Sequence, residues 1–146
     1  PLNELFTFCV NLFRSGNGRK LTSIEAHGLV CKIASVVVVG GVRRSALISL
    51  SNLSDDRMRH AKSGEWWISN PEFALANNSA VYTEKPNAET FIREWGSLIE
   101  SKSGERGIFN RVSAKIAAGR SGRRDTGYDF GTNPCSEIIL RSKEFC

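Results

Sequence analysis

The sequence Asn133-Pro134-Cys135-Ser136-Glu137 runs directly into the apolar residues Ile138-Ile139-Leu140. In an extended chain successive side chains alternate between two faces, so Asn133, Cys135 and Glu137 are predicted to point the same way. Pro134 fixes its own φ and biases the residue before it toward an extended conformation. The stretch therefore predicts an amide, a thiol and a carboxylate in one row that faces a small polar molecule and leads into a buried strand.

Length and composition are those of one globular domain spanning residues 1–146. The chain is 40% hydrophobic and 24% charged, which is ordinary for a globular protein in water. Its longest apolar candidate, residues 33–39, is far shorter than the roughly 20 residues that a membrane span needs. No signal-peptide pattern is visible at the N-terminus. We therefore expect a cytoplasmic protein that does not engage membranes.

The net charge of +5 is concentrated in arginines, at positions 43 and 44 and again at 120, 123 and 124. A partner that carries phosphate, either a nucleotide or a nucleic acid, agrees with this charge. A solvated basic surface accounts for the charge equally well.

The four cysteines, Cys9, Cys31, Cys135 and Cys146, are widely spaced and include no C-x-x-C pair. The spacing of a zinc site is absent, so no metal site is predicted. Structural disulfides are not expected in a reducing compartment, which favours a functional thiol. Cys9 and Cys31 lie in predicted helices and are interpreted as packing residues, whereas His27 is predicted to be an exposed helical residue.

Hydrophobic periodicity and turn residues predict helices that alternate with short strands, which indicates an α/β protein. The Thr22-x-x-Glu25 capping box marks one helix start, and Asn87 caps the clearest helix. The apolar face predicted for that helix consists of Phe91, Ile92, Trp95, Leu98 and Ile99. The other predicted segments are a helix over residues 2–13, a strand over 46–50, a helix from Ser54 to near Gly64, a strand over 80–82, a helix over 111–118 and a long loop over 120–131.

Two polar segments are candidate ligand loops. Gly40 and Gly41 allow a sharp turn from which Arg43 and Arg44 project, and guanidinium groups match phosphate oxygens in pairs. Residues 77–79, Asn77-Asn78-Ser79, come just before a predicted strand and offer hydrogen-bond donors and acceptors. They form either a turn or a loop that contacts a ligand.

Four segments together resemble one known family: GGVRRSA (40–46), ANNSAV (76–81), ESKSGERGIFNR (100–111) and NPCSEI (133–138). In this order they are similar to the catalytic barrel of adenosylcobalamin-dependent (class II) ribonucleotide reductases, and above all to the monomeric ribonucleoside-triphosphate reductase subgroup. The resemblance extends over nearly the whole chain. It implies a ten-stranded α/β barrel with the reactive cysteine on a central loop.

The resemblance implies a role for each member of the opening row. Cys135 matches the cysteine that becomes a thiyl radical and removes the 3′-hydrogen of the ribose. Glu137 matches the base that takes the 3′-hydroxyl proton, and Asn133 matches the amide that holds the ribose hydroxyls. Ser136 stands where the family often has glycine, so a φ above zero at this position would carry a conformational penalty.

Cys146, eleven residues after Cys135, has the spacing of one member of the family's redox-active pair, whose closure to a disulfide supplies two electrons. An alternative is that Cys146 is the first residue of an intein. Neither Cys9 nor Cys31 matches the other cysteine of that redox-active pair. The resemblance further implies adenosylcobalamin as cofactor, thioredoxin or a similar dithiol as reductant, a ribonucleotide as substrate and a nucleotide effector, with Arg43, Arg44, Asn77, Asn78 and Ser79 in substrate or effector loops.

A chain of this length is too short for a ten-stranded barrel, so it is interpreted as the central part of the barrel domain, inactive without the remaining segments. Such a piece should expose strand edges and apolar faces. Two alternatives stay open: a basic nucleotide- or nucleic-acid-binding module without radical chemistry, and another cysteine or thiyl-radical enzyme. If the family resemblance is right, we do not expect direct binding to nucleic acid.

Overall fold

A computed structural model describes residues 1–42 and 44–146. Arg43, one of the two arginines predicted to contact phosphate, lies outside the described residues. The described residues form the helices α1 (Leu2–Ser15), α2 (Ser23–Val36), α3 (Asp56–Arg59), α4 (Trp66–Ser69), α5 (Ala88–Ser101) and α6 (Arg111–Ser121), and a 3-10 helix at Pro71–Leu75. The strands are β1 (Leu47–Asn52), β2 (Ala76–Tyr82), β3 (Gly107–Asn110), β4 (Gly131–Thr132) and β5 (Ile139–Leu140).

The central structure is a parallel sheet of three strands with the order β1-β2-β3. Leu47 of β1 pairs with Ala76 of β2, and Ser79 of β2 pairs with Gly107 of β3. Helices connect these parallel strands, as the crossover requires, and the α/β prediction is confirmed at this level. A separate antiparallel pair, β4 and β5, forms a short hairpin around residues 133–138.

Local capping signals in the sequence are realised where they were predicted. Thr22 accepts a hydrogen bond from the Glu25 backbone, and the Glu25 carboxylate accepts one from the Thr22 backbone, which completes the capping box. The Asn87 side chain accepts from the backbone of Thr90 at the start of α5. Gly40 and Gly41 both have positive φ, as the predicted turn requires.

The apolar core lies between α2 and the start of β2. Cys31 is fully buried there with Phe73 and Ala76, which confirms its interpretation as a packing residue. The prediction of an exposed His27 is wrong: this residue is only 4% exposed. Its Nδ1 lies 2.6 Å from Ser49 Oγ, and burial lowers its pKa to about 4. A histidine on a helix becomes a core residue here because a strand serine supplies its polar partner.

The apolar face of α5 is not buried as predicted. Ile92 is 67% exposed, Trp95 50% and Ile99 71%, whereas Glu94 and Ser97 on the opposite side are buried. Helix α1 also has large apolar side chains that are about half exposed, namely Leu2, Phe6, Val10 and Phe13. Both helices therefore carry apolar faces in contact with solvent.

Strand β2 includes the residues predicted to form a turn or loop. Asn77, Asn78 and Ser79 lie within β2 and pair with residues 48–50 of β1. The prediction failed because polar side chains are typical of turns, whereas here backbone pairing to β1 and side-chain partners hold the segment in a strand. No helix in the described part of the chain is long and apolar enough to cross a bilayer.

Candidate active site

The hairpin β4–β5 presents the Cys135 segment as a closed loop. The Asn133 backbone N–H donates to the Ile138 carbonyl at 3.1 Å, and the Ser136 N–H donates to the Asn133 carbonyl at 2.9 Å. The Asn133 side-chain Oδ1 accepts from the Ile138 N–H at 3.0 Å. One residue thus supplies most of the hydrogen bonds that shape the loop.

The extended row predicted for this segment is wrong. Pro134 and Cys135 occupy a turn, and Ser136 adopts a φ of 65°. Asn133 is 4% exposed, whereas Cys135 and Glu137 are exposed to solvent. The side chain of an asparagine that precedes a proline can bond to the nearby backbone, and this local bond favours a turn over a strand. Cys135 and Glu137 are therefore exposed, whereas the Asn133 side chain is buried.

Residues 138–140 are correspondingly not a buried strand. Only Ile139–Leu140 form β5, both half-buried, and Ile138 is 38% exposed. The positive φ at Ser136 is the conformation anticipated from the glycine that the family often has there. A non-glycine residue in this region is unfavourable by about 1–2 kcal/mol, so the loop carries a local penalty beside Cys135.

Strand β2 holds the loop in place through one direct contact. Asn77 Nδ2 donates to the Pro134 carbonyl at 2.7 Å. Between the two lies a cavity of about 290 Å³ that is also lined by Ser79, Ser136 and the turn leading into β3. Three sequence segments found separately, residues 76–81, 100–111 and 133–138, therefore meet at one polar cavity.

Asn78 and Ser79 of β2 are both buried, but they have different partners because successive side chains of a strand point to opposite faces of the sheet. Asn78 is 1% exposed, and its Nδ2 donates to the Met58 carbonyl at 2.6 Å. Ser79 is also buried, and its Oγ lies 2.8 Å from the position that a Cβ on Gly107 would take. A larger residue at position 107 would therefore force the Ser79 hydroxyl to move.

A buried ion pair that the sequence did not suggest borders the cavity. Lys62 is 8% exposed, and its Nζ donates to Glu105 Oε1 at 3.0 Å and to the Ala76 carbonyl at 2.6 Å. Glu105 Oε2 accepts from the Asn78 backbone N–H at 2.7 Å. Glu105 belongs to one of the recognised segments, but no local pattern links it to Lys62, which lies 43 residues away.

A second buried cluster lies under α5. Glu94 accepts from Arg59 Nε at 2.7 Å and from Arg106 Nε and Nη2 at 2.8 Å each. Burial alone would raise the pKa of Glu94, but the hydrogen bonds from Arg106 and Arg59 and their positive charge lower it overall. The Arg106 side chain also donates to Ser51 Oγ at 2.9 Å, so the cluster joins α3, α5, β1 and the start of β3.

Of the predicted site residues, the cavity is lined by Asn77, Asn78 and Ser79. Asn133, Cys135 and Glu137 do not line it; the loop contributes Pro134 and Ser136 instead. Arg44 is exposed on the chain that leads into β1, and Cys146 is an exposed free thiol at the end of the described chain. Arg124 of the basic cluster is paired with Glu144 at 2.7 Å, which reduces the free positive charge of that region. Within residues 1–42 and 44–146, no three His, Cys, Asp or Glu residues lie together so as to hold a metal ion.

Comparison with known proteins relates the whole chain to one group of enzymes. It is 32% identical over 150 residues to an adenosylcobalamin-dependent ribonucleoside-triphosphate reductase of Lacticaseibacillus paracasei. Proteins with the same name from Lactobacillus helveticus and Lactobacillus leichmannii are 32% and 31% identical. Each alignment covers 100% of this chain and 19% to 20% of the relative, so the chain spans about a fifth of the length of these relatives. No family model and no solved structure matches the chain.

Proposed function

The chain belongs to the family of adenosylcobalamin-dependent ribonucleoside-triphosphate reductases, and on this premise we propose that it forms the part of the catalytic barrel that carries the reactive cysteine. The reaction is the reduction of a ribonucleotide, in the first instance a ribonucleoside triphosphate, to the 2′-deoxyribonucleotide. The observation that carries the proposal is the Cys135 loop, which is tethered beside a polar cavity and lies within a match that covers the whole chain.

In this reaction the Cys135 thiyl radical removes the 3′-hydrogen of the ribose. Glu137 accepts the proton of the 3′-hydroxyl group, and the 2′-hydroxyl group takes a proton from a thiol of the dithiol pair and leaves as water. Cys135 finally returns the hydrogen atom to C3′, which regenerates the thiyl radical. The exposure of both Cys135 and Glu137 to solvent leaves their side chains accessible to a substrate, which supports these roles. Asn133, the third proposed catalytic residue, is buried and already gives its Oδ1 to the loop backbone. Contact between Asn133 and the ribose hydroxyl groups would therefore use its side-chain N–H groups.

Two electrons complete the reduction, and a dithiol supplies them by closing to a disulfide. We propose Cys146 as one member of that pair, with thioredoxin or a similar dithiol as the external reductant. The exposure of Cys146 as a free thiol is consistent with such an exchange.

Adenosylcobalamin supplies radical initiation in the complete protein under this proposal. The cavity beside the Cys135 loop, at about 290 Å³, has room for a ribose-sized group but is far too small for a corrinoid ring system. We therefore assign no cobalamin contact to the residues of this chain. Arg43 and Arg44 stay candidates for contacts to substrate or effector, as do Asn78 and Ser79 of β2, which line the cavity.

The ten-stranded barrel is likewise a proposal. The parallel order of β1, β2 and β3 agrees with a section of such a barrel. Both outer strands have a free edge among the described residues, and the apolar faces of α1 and α5 face solvent. Barrel closure removes strand edges, and additional helices would cover the apolar faces. No observation favours the alternative of a basic nucleic-acid-binding module.

The proposal is tested by a Cys135→Ser substitution in the complete reductase. Serine is nearly isosteric with cysteine but does not form a comparably stable radical, so deoxyribonucleotide formation should be lost while nucleotide binding is kept. Cys9→Ser in the same protein is the control and should turn over normally. Turnover by the Cys135→Ser protein would refute the proposed role of this cysteine.

A further inference from the structure

Asn77 is the direct link between the central sheet and the loop that carries Cys135. Its side-chain amide donates to the Pro134 carbonyl at 2.7 Å, one residue before the cysteine. The family resemblance predicts that Asn77 contacts substrate or effector. The structure instead gives one of its two N–H donors a partner within the protein.

The backbone around Asn77 is held by a buried ion pair. Strand β3 pairs with β2 only from Ser79 onward, so the β2 backbone just before that point needs other partners. Lys62 Nζ satisfies the Ala76 carbonyl, and Glu105 Oε2 satisfies the Asn78 N–H. These two bonded groups flank Asn77 on either side along the strand.

Several contacts hold the Lys62–Glu105 ion pair in place. Glu105 binds Lys62 and the Asn78 backbone with different oxygens, so its carboxylate is fixed at both ends. Lys62 also lies over the ring of Trp66, at 5.4 Å from the centroid. A buried lysine that is bonded to a carboxylate and a backbone carbonyl is held in one arrangement by these partners.

We infer that Lys62, Glu105 and Asn77 are positioning residues that fix the Cys135 loop: the ion pair holds the β2 backbone, and Asn77 transmits that position to the Pro134 carbonyl. The inference rests on the proposed function only for the chemistry of Cys135. The tether itself is a property of the loop and can be measured without turnover.

The test places a nitroxide spin label on Cys135 of the full chain, with Cys9 and Cys146 replaced by serine. Cys31 is fully buried and is not labelled. Asn77→Asp is nearly isosteric but replaces the donor by a carboxylate, which cannot bond to a carbonyl. The ratio of mobile to immobile label in the electron paramagnetic resonance spectrum should rise about five-fold, the change that the loss of one ordinary hydrogen bond produces.

Asn17→Asp is the matched control, because Asn17 is also exposed and the change in charge is the same. This variant should leave the spectrum unchanged. An unchanged spectrum for Asn77→Asp, or an equal change for Asn17→Asp, would overturn the inference. Since Asn77 is an exposed strand residue with no other side-chain hydrogen bond among the described contacts, the substitution should not prevent folding.

Two variants of Glu105 test the other half of the arrangement. Glu105→Gln keeps an oxygen for the Asn78 N–H but loses the ion pair, whereas Glu105→Ala loses both. The mobile fraction should increase in the order parent, Gln, Ala. A spectrum that is unchanged in the folded Glu105→Ala protein would exclude the ion pair from the positioning of the loop.

In the complete reductase, Asn77→Asp should lower kcat while KM for the nucleotide stays within about two-fold, because a displaced cysteine weakens the transition state rather than substrate binding. A raised KM at unchanged kcat would mean that Asn77 contacts the substrate and would refute the positioning role. The outcome of the Cys135→Ser experiment is independent of the spin-label measurement, so failure of the proposed function and failure of the positioning role can be told apart.

Discussion

Replacement of Glu94 by glutamine should strongly destabilise the chain. The Glu94 carboxylate is 6% exposed and accepts three hydrogen bonds from two arginines that are 3% or less exposed. Glutamine keeps one acceptor oxygen but turns an NH₂ group toward the other guanidinium donors. It also removes the negative charge between Arg59 and Arg106. Because removal of one partner from a buried charged cluster costs about 3–5 kcal/mol, we expect a loss of that size in the free energy of unfolding.

The assay is urea-induced unfolding followed by the fluorescence of the three tryptophans. With a denaturant dependence of about 2 kcal/mol per M, the midpoint should fall by about 2 M. Glu89→Gln on the same helix is the control, since Glu89 is 85% exposed and only 3.9 Å from an exposed Arg93. That variant should change stability by less than about 0.5 kcal/mol.

The same residue predicts a dependence on pH. The folded-state pKa of Glu94 lies below its ordinary value of 4.5. Its contribution is therefore complete above pH 4.5 and is lost as the pH falls through the folded-state pKa. As the pH is lowered below 4.5, the free energy of unfolding of the parent chain should therefore fall by more than that of the Glu94→Gln protein. A Glu94→Gln protein within about 1 kcal/mol of the parent at neutral pH would refute the reasoning.

Three further outcomes are expected from the same unfolding measurement. Ser136→Gly should leave the free energy of unfolding unchanged or raise it by about 1 kcal/mol, because the strain relieved at the positive φ slightly exceeds the conformational entropy that glycine adds to the unfolded state. Ser142→Gly is the control, since Ser142 has no positive φ, and this variant should be destabilised. Gly107→Ala should destabilise by about 1–3 kcal/mol, because its Cβ would lie 2.8 Å from Ser79 Oγ, and a loss that persists unchanged when Ser79→Ala is added would contradict this cause. Burial, and to a lesser extent the charge of Lys62, lowers the pKa of His27 to about 4, so His27 binds a proton more readily in the unfolded chain. The free energy of unfolding should therefore fall by up to about 3 kcal/mol as the pH is lowered from 6.5 to 4. A His27→Gln protein whose stability falls equally over that range would refute this explanation.

Local signals in the sequence were reliable because they depend on few atoms. The Thr22 capping box and the Asn87 cap need only a side chain and a backbone group three residues later, so they form as predicted. The alternation of helices and strands follows in the same way from periodicity. These features predicted the α/β class and most of the helices correctly.

The orientation of helices was predicted less well, because the periodic pattern does not say what a face packs against. On α5 the apolar residues face solvent, and the buried side carries Glu94. That arrangement depends on Arg59 and Arg106, which come from distant parts of the chain. His27 was misjudged for the same reason, since its partner Ser49 lies on another element.

The geometry predicted for the candidate-site segment is wrong. The residues at 133–137 were expected to alternate along a strand, and the Asn133 side chain closes them into a turn instead. The contact from Asn77 to this loop joins residues 57 positions apart, which no local pattern reveals.

The contact between Asn77 and residue 134 involves a main-chain oxygen, which every amino acid possesses. This hydrogen bond consequently does not depend on the side chain at position 134, but it does require a side-chain donor at position 77. Mutational tolerance along the loop should therefore be uneven. Random variation at 134 leaves the attachment point intact, and a library at 77 should retain only residues that can reach and donate across the same gap.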